Sequence, residues 1–271
     1  MNMIKSSKRD LIIMQAILIV IALVWLFPLL SALDRSLVNQ GVGNYISLFT
    51  NPINGIPITS LYINSAIIAY THVMFVLVVG SMAGFAFSKL DFFGKEFIYY
   101  GIVICLAVPG TVVLVPFFFT LKQMGLLNSY LGVALSETAL TLPFAILMLR
   151  NYGDNIPHEF TEAATIDGAG WWDLFIRIYI PLARPALINL ATLSALWSFQ
   201  DFLLPAVFIT DSKLTTAAVA AQTFRDYQGF TAENIGRYNA SLVLLALPAL
   251  ILLIFGQRFI VSGLTSGGIK S

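Results

Sequence analysis

The sequence predicts an all-α integral membrane protein with six transmembrane helices, and three observations carry that prediction. Of 271 residues, 58% are hydrophobic and 11% charged, where a soluble domain carries about 25% charged. Six stretches are apolar over the roughly 20 residues that a helix needs to cross the hydrocarbon core: 11–33, 61–88, 98–121, 131–150, 184–210 and 236–260. The basic residues gather at or beyond the ends of those stretches and divide unevenly between the two sides.

The first stretch follows Lys5, Lys8 and Arg9. Its apolar run exceeds the roughly 7–15 residues of a signal peptide and no small-x-small cleavage site follows, so it is read as a span. The second carries Gly80 and Gly84, a small-x-x-x-small pair that predicts a close helix crossing. His72, alone in that span, reads as a satisfied packing residue rather than a proton relay. Pro109, Pro116, Pro143, Pro205 and Pro248 lie in the later spans as static bends, their freed backbone groups repaired by neighbours. The segments 34–60 and 211–235 are polar and read as solvated outer loops.

An even number of spans puts both termini on one side. With an inside N-terminus, the inner segments hold Lys5, Lys8, Arg9, Lys89, Lys95, Arg150, Arg177, Arg184, Arg258 and Lys270. The outer segments hold Arg35, Lys122, Lys213, Arg225 and Arg237. Ten against five predicts cytoplasmic termini by the positive-inside rule.

Other classes find little support. Net charge near zero does not suit a nucleic-acid partner. A single cysteine, Cys105, allows no internal disulfide, and the separated His72 and His158 make no metal cluster. No G-x-x-x-x-G-K-[ST] loop occurs, so ATP hydrolysis by that route is not expected of this chain. A membrane-embedded enzyme would need a metal spacing or serine-nucleophile motif, and neither is visible. The absence of visible inverted repeats weighs against an ion-coupled secondary transporter, the alternative in which Glu137 and Asp201 carry ions.

The inner segment 151–183 is too charged to span and too patterned for a linker. Asn155 and Pro157 are helix-start signals, and Glu159 and Glu162 suit the positive end of a helix dipole. Phe160, Ala163, Ala164 and Ile166 supply an apolar face, and Gly168-Ala169-Gly170 ends the helix. A second amphipathic piece runs from Trp172 to Ile180 and stops at Pro181. From these residues alone, an interfacial helix lying on lipid is the favoured reading.

Within that segment Glu162-Ala163-Ala164, Gly168, Ile178 and Pro181 fit the pattern E-A-A-x3-G-x9-I-x-L-P, with Ile180 where the pattern has Leu. Further segments are Val108-Pro109-Gly110, the run from Gly125 to Gly132, Ile166-Asp167-Gly168-Ala169, Arg184-Pro185-Ala186-Leu187 and the tail from Gln257 to Thr265. On these residues the chain resembles the permease subunits of ABC importers, and among them the maltose-type carbohydrate permeases. The likeness covers roughly residues 60–271.

The resemblance implies a single permease domain over 1–271, of type I ABC importer architecture, in a bacterial or archaeal cell (inner) membrane. It implies no enzyme activity and no cofactor in this chain, with ATP and Mg on a partner ATPase dimer. A second permease subunit forming a heterodimer, an extracytoplasmic sugar-binding protein and a sugar or oligosaccharide substrate complete the expected assembly. Glu162, Ala163, Ala164, Asp167, Gly168 and Pro181 would form the coupling helix and its flanks, docked in a groove of the ATPase.

Charges inside a span cost at least about 2.5 kcal/mol, so each is a functional candidate. Glu137 lies about 9 Å and Asp201 about 14 Å from the outer ends of their spans at 1.5 Å per residue. Ser194, Trp197, Ser198 and Asp201 share one helical face, with Gln200 beside it. Trp197, Gln200, Asp201 and Glu137 offer an aromatic platform and hydrogen-bonding groups, the chemistry a sugar presents itself to. The alternative is that Glu137 and Asp201 hydrogen-bond between helices or to the partner permease.

Overall fold

The computed structural model describes residues 8–53, 55–228 and 234–266. Lys5, Lys270, residues 229–233 of the second outer loop and the side chains of the tail motif 257–265 lie outside the described residues. The chain forms α1 (Lys8–Ser36), α2 (Gly43–Thr50), α3 (Ile58–Lys89), α4 (Lys95–Ile104), α5 (Leu114–Gln123), α6 (Tyr130–Asp154) and α7 (His158–Ile166). Then follow α8 (Trp171–Asp173), α9 (Ile180–Leu182), α10 (Arg184–Gln200), α11 (Leu203–Phe208), α12 (Ala217–Gln228) and α13 (Ile235–Ser266). Extended pairing among the described residues is limited to one isolated bridge, Ile53 to Ile56.

Four helices are by themselves long and apolar enough to cross a membrane: Arg9–Ser36, Ile58–Lys89, Tyr130–Asp154 and Ile235–Ile254. A fifth results if Trp171–Leu182 and Arg184–Gln200, which meet at 73°, are counted together. Two expected spans are therefore broken. The stretch 98–121 divides into α4, a 3-10 turn at Cys105–Ala107, and α5. Pro109 explains the break, because proline pushes the residue before it out of the helical region, and Val108 is extended at φ −83°, ψ 117°. The stretch 184–210 breaks at Asp201, which is extended at φ −65°, ψ 124°. Its carboxylate accepts the backbone N–H of Leu203 at 2.9 Å, a local bond that competes with helix continuation.

The two outer segments are also more ordered than solvated loops. The first contains α2, whose Asn44 amide donates to the carbonyls of Ser36 (2.9 Å) and Val38 (2.8 Å). In the second, the carbonyls of Lys213 and Thr215 accept from Asn64 of α3, and α12 packs on α3 and α13.

The core is the crossing of α3 with α6, with α10 against both and α13 beyond. Asn64, Ile68, His72, Val76, Gly80, Gly84 and Ser88 are buried at every fourth position of α3, which makes one ridge. A Cβ at Gly80 would stand 3.2 Å from Ala145 Cβ, and one at Gly84 would stand 2.6 Å from Leu149 Cβ. On the facing side a Cβ at Gly153 would collide with Ser88. Small residues thus let the two backbones approach, since lipid supplies no hydrophobic drive between helices. The entry of α6 is fixed by Ser129, whose hydroxyl accepts from Gly132 N–H at 3.0 Å, an N-cap. By contrast α1 touches the bundle through α13 and exposes its apolar residues, Trp25 by 79%, as a helix solvated by lipid should.

Gly84→Leu should loosen this crossing by about 1–3 kcal/mol, the usual cost of overpacking. Thermal unfolding of the detergent-purified protein checks it. Gly101→Ala, whose added methyl meets no atom within 4 Å, should leave the midpoint unchanged.

Candidate functional site

Both helix breaks face the same space. A cavity of about 620 Å³ is lined by His72 of α3, Gly110 and Thr111 at the first break, Glu137, Leu140 and Thr141 of α6, and the segment Trp197–Leu204 at the second break, excepting Phe199. Irregular backbone is tolerable at membrane depth when it lines such a cavity. All four candidate substrate residues, Glu137, Trp197, Gln200 and Asp201, are on its wall.

Glu137 is 5% exposed. Among the described residues neither of its carboxylate oxygens makes a hydrogen bond of good geometry, and Ser198 and Asp201 stand close beside it. His72 Nδ1 lies 3.8 Å from Oε2 and 3.3 Å from the Thr138 hydroxyl. Three neighbouring hydroxyls are internally satisfied: Ser136, Thr138 and Thr141 donate to the carbonyls of Gly132, Ala134 and Glu137 at 3.0, 2.6 and 2.9 Å. Trp197 is half exposed and meets Phe144 edge to face, centroids 5.4 Å apart. Ser194 and Ser198 are buried with unpartnered hydroxyls.

His72 is a correction. It does pack between α3 and α6, but its Nε2 is unpartnered and it belongs to the cavity wall. The signal for it lay in its register with Gly80 and Gly84 on the α3 ridge that faces Glu137's helix. The His72–Thr138 contact joins α3 to α6, and Ser198 and Asp201 bring the end of α10 beside Glu137. Among the described residues no group of three or more His, Cys, Asp or Glu residues could hold a metal ion.

At the other end of α6 is the patterned loop. Pro157, not Asn155, precedes α7, while Asn155 follows α6 and donates to Asn151 O at 2.7 Å. Gly168 has φ +85°, with Ala169 N–H donating to Ala164 O at 2.9 Å and Gly168 N–H to Thr165 O at 3.0 Å. Those two bonds make a Schellman ending, for which glycine is the natural residue. The helix after it does not stop at Pro181. It runs as α8, a π-helical turn Leu174–Tyr179, and α9 to Leu182, with Pro181 inside α9's first turn. Pro181 follows directly on the π-helical turn, where the regular i to i−4 ladder is already interrupted, and the helix ends one residue later.

Of the expected apolar face of α7, Ala164 packs into the chain's core, whereas Phe160 is 52% and Ile166 86% exposed. Glu162, Ala163, Asp167 and Gly168 are exposed as well. The loop is held to the bundle from behind. Lys89 Nζ donates to Ile156 O at 2.8 Å and Tyr179 OH to Leu149 O at 3.0 Å, while Arg150, at the end of α6, pairs with Glu96 of α4 at 2.6 Å.

Residues 76–266 match the family model described as binding-protein-dependent transport system inner membrane component. The diacetylchitobiose uptake system permease protein NgcG of Streptomyces coelicolor is 29% identical over 272 residues, covering 97% of this chain and 90% of the relative. The arabinooligosaccharides transport system permease protein AraQ of Halalkalibacterium halodurans is 33% identical, covering 76% of this chain and 72% of the relative. In fold, the chain is similar to a subunit of a bacterial ABC transporter that imports alginate, with TM-score 0.79, 21% identity, and coverage of 95% and 99%.

Thr138→Val should strand the buried His72 N–H and cost about 1–3 kcal/mol, while adding His72→Phe should recover part of that loss because both partners are then gone. Thermal unfolding of the two single variants and the double variant gives the coupling.

Proposed function

This chain belongs to the binding-protein-dependent transport system inner membrane component family, a permease subunit of an ABC importer with ATP hydrolysis on a separate subunit, and we propose that it imports a sugar or oligosaccharide. The observation that carries the substrate class is the run of carbohydrate permeases among its relatives, including NgcG and AraQ across most of their length. Family membership sets aside the ion-coupled role for Glu137 and Asp201.

In this reading the chain crosses the membrane six times with both termini cytoplasmic. The broken segments α4–α5 and α10–α11 complete two of the crossings around the cavity. The partners are a second permease subunit, an ATPase dimer that binds ATP and Mg, and an extracytoplasmic sugar-binding protein. Glu137, Trp197, Gln200 and Asp201 line the substrate path. Helix α7 is the coupling helix: Glu162, Ala163, Asp167 and Gly168 present a small, acidic, exposed surface to a groove on the ATPase, while Ala164 packs the helix onto the bundle and Pro181 lies in the supporting helix. Closure of the ATPase dimer would pull α7, and the bundle behind it would rock between inward- and outward-facing states as a rigid body.

Two measurements test this. Gentle solubilisation of the tagged chain from its native membrane should copurify a Walker-motif ATPase and a second permease; isolation of the chain alone after crosslinking in intact cells would contradict it. A Cβ at Gly168 meets nothing within 4 Å in this chain, so bulk there should clash only with a partner. Gly168→Leu should therefore cut sugar-stimulated ATPase activity of the assembled complex about tenfold or more, beyond the smaller effect of Gly168→Ala, which carries the backbone strain of about 1–3 kcal/mol without the bulk.

A further inference from the structure

A second hollow flanks α3, off the ridge that meets α6. One part, about 220 Å³, lies between Phe85, Ala86 and Leu90 of α3 and Trp171 and Trp172 of α8. Another, about 270 Å³, lies between Leu77 and Val78 of α3, Ile180 of α9 and Leu187 of α10. Met82 and Phe175 wall both, so the two make one slot along α3. From Leu77 to Leu90 the slot runs about 20 Å at 1.5 Å per residue, enough to hold a chain through one hydrocarbon leaflet, about 15 Å deep. Its volume over that length gives a bore of roughly 5 Å, too narrow for a helix about 10–12 Å across and suited to one extended hydrocarbon chain.

The slot's one hydroxyl, Ser81, is already satisfied by Val78 O at 3.2 Å. At the Leu90 end Trp171 and Trp172 are 64% and 65% exposed, and Trp172 stands edge to face with Phe175, centroids 6.0 Å apart. Exposed tryptophans beside apolar helix mark the headgroup boundary. Arg184 begins α10 three residues before Leu187, a spacing that puts both on one face. Helical side chains lean toward the N-terminus, so its guanidinium stands on the loop side of Leu187. It is exposed, with no ion-pair partner among the described residues. We infer that the slot binds one anionic phospholipid of the inner leaflet, an acyl chain lying along α3 with its tail toward Leu77 and Arg184 taking the headgroup. That leaflet carries anionic lipid, and basic pockets between helices on that side hold its headgroups. Phe175 and Ala164 belong to one packed cluster, so the bound lipid also braces α7 from behind. The inference rests on the six-crossing topology proposed above, which puts α8 and α9 at the cytoplasmic face.

Native mass spectrometry of the assembled importer, stripped in detergent and titrated with palmitoyl-oleoyl phosphatidylglycerol or phosphatidylcholine, counts the lipids retained. Arg184→Gln should weaken one phosphatidylglycerol site about fivefold, the factor that one arginine supplies near an anionic surface, and leave phosphatidylcholine unchanged. Met82→Trp, which fills the slot from a side chain already 44% exposed, should remove that site for both lipids. Retention equal to that of the unaltered complex in both variants would overturn the inference. In intact membranes, Met82→benzoylphenylalanine should photocrosslink to lipid; a crosslink to the second permease subunit instead would overturn it, by showing that protein covers the slot. A failure of the topology shows separately. In a Cys105→Ser background, labelling of Trp171→Cys by an impermeant thiol reagent outside intact cells would overturn the inner-leaflet assignment, whatever the retention data show.

Discussion

The close crossing of α3 and α6 is the constraint on which the rest of the molecule depends. Helices in lipid gain nothing from hiding apolar surface from one another, so they associate where their backbones can approach. Gly80, Gly84 and Gly153 give that approach, against Ala145, Leu149 and Ser88. The same crossing sets His72 beside Thr138 and Glu137, and it carries Leu149 within reach of the Tyr179 hydroxyl. One packing event therefore positions both the cavity wall and the anchor of the loop that follows α6.

Two helix breaks complete the cavity. In hydrocarbon each unpaired backbone group is expensive, so interruptions survive only where protein or water can take them up. The break at Val108–Val113 and the break at Asp201–Phe202 both open on the same space. Pro109 and Asp201 are thus more than local irregularities: they trade helix hydrogen bonds for a concave surface that sets a few polar groups in a mostly apolar wall. Breaks in two different segments also give the bundle places at which it can bend.

The cavity and the loop are joined by α6, which is continuous from Tyr130 to Asp154. Its C-terminal end is clamped by Arg150, which pairs with Glu96 and lies 3.8 Å over the Tyr99 ring. Helix α7 follows directly, with its Schellman ending and its exposed small-residue surface. Movement imposed on α7 would pass through packed, hydrogen-bonded elements, as switching between discrete arrangements requires.

Much of this was legible in the sequence. The apolar stretches announced helices α1, α3, α6 and α13, because burying backbone in lipid demands long uninterrupted helix. Gly80 and Gly84 announced a crossing, and the pattern from Glu162 to Pro181 announced a short helix with a glycine ending. Glu137 and Asp201 stood out because charge in a span is costly. What the sequence did not reveal was which apolar stretches stay continuous: Pro116, Pro143 and Pro248 lie within helices while Pro109 marks a break, a difference set by the neighbours that repair or exploit the lost bond. Nor did it place His72, Ser198 and Asp201 around Glu137, or show that His72 Nε2 lacks a hydrogen-bond partner. Composition and spacing determine what a residue prefers for itself. Whether a polar group is matched depends on atoms brought from distant helices, and only the tertiary structure decides that.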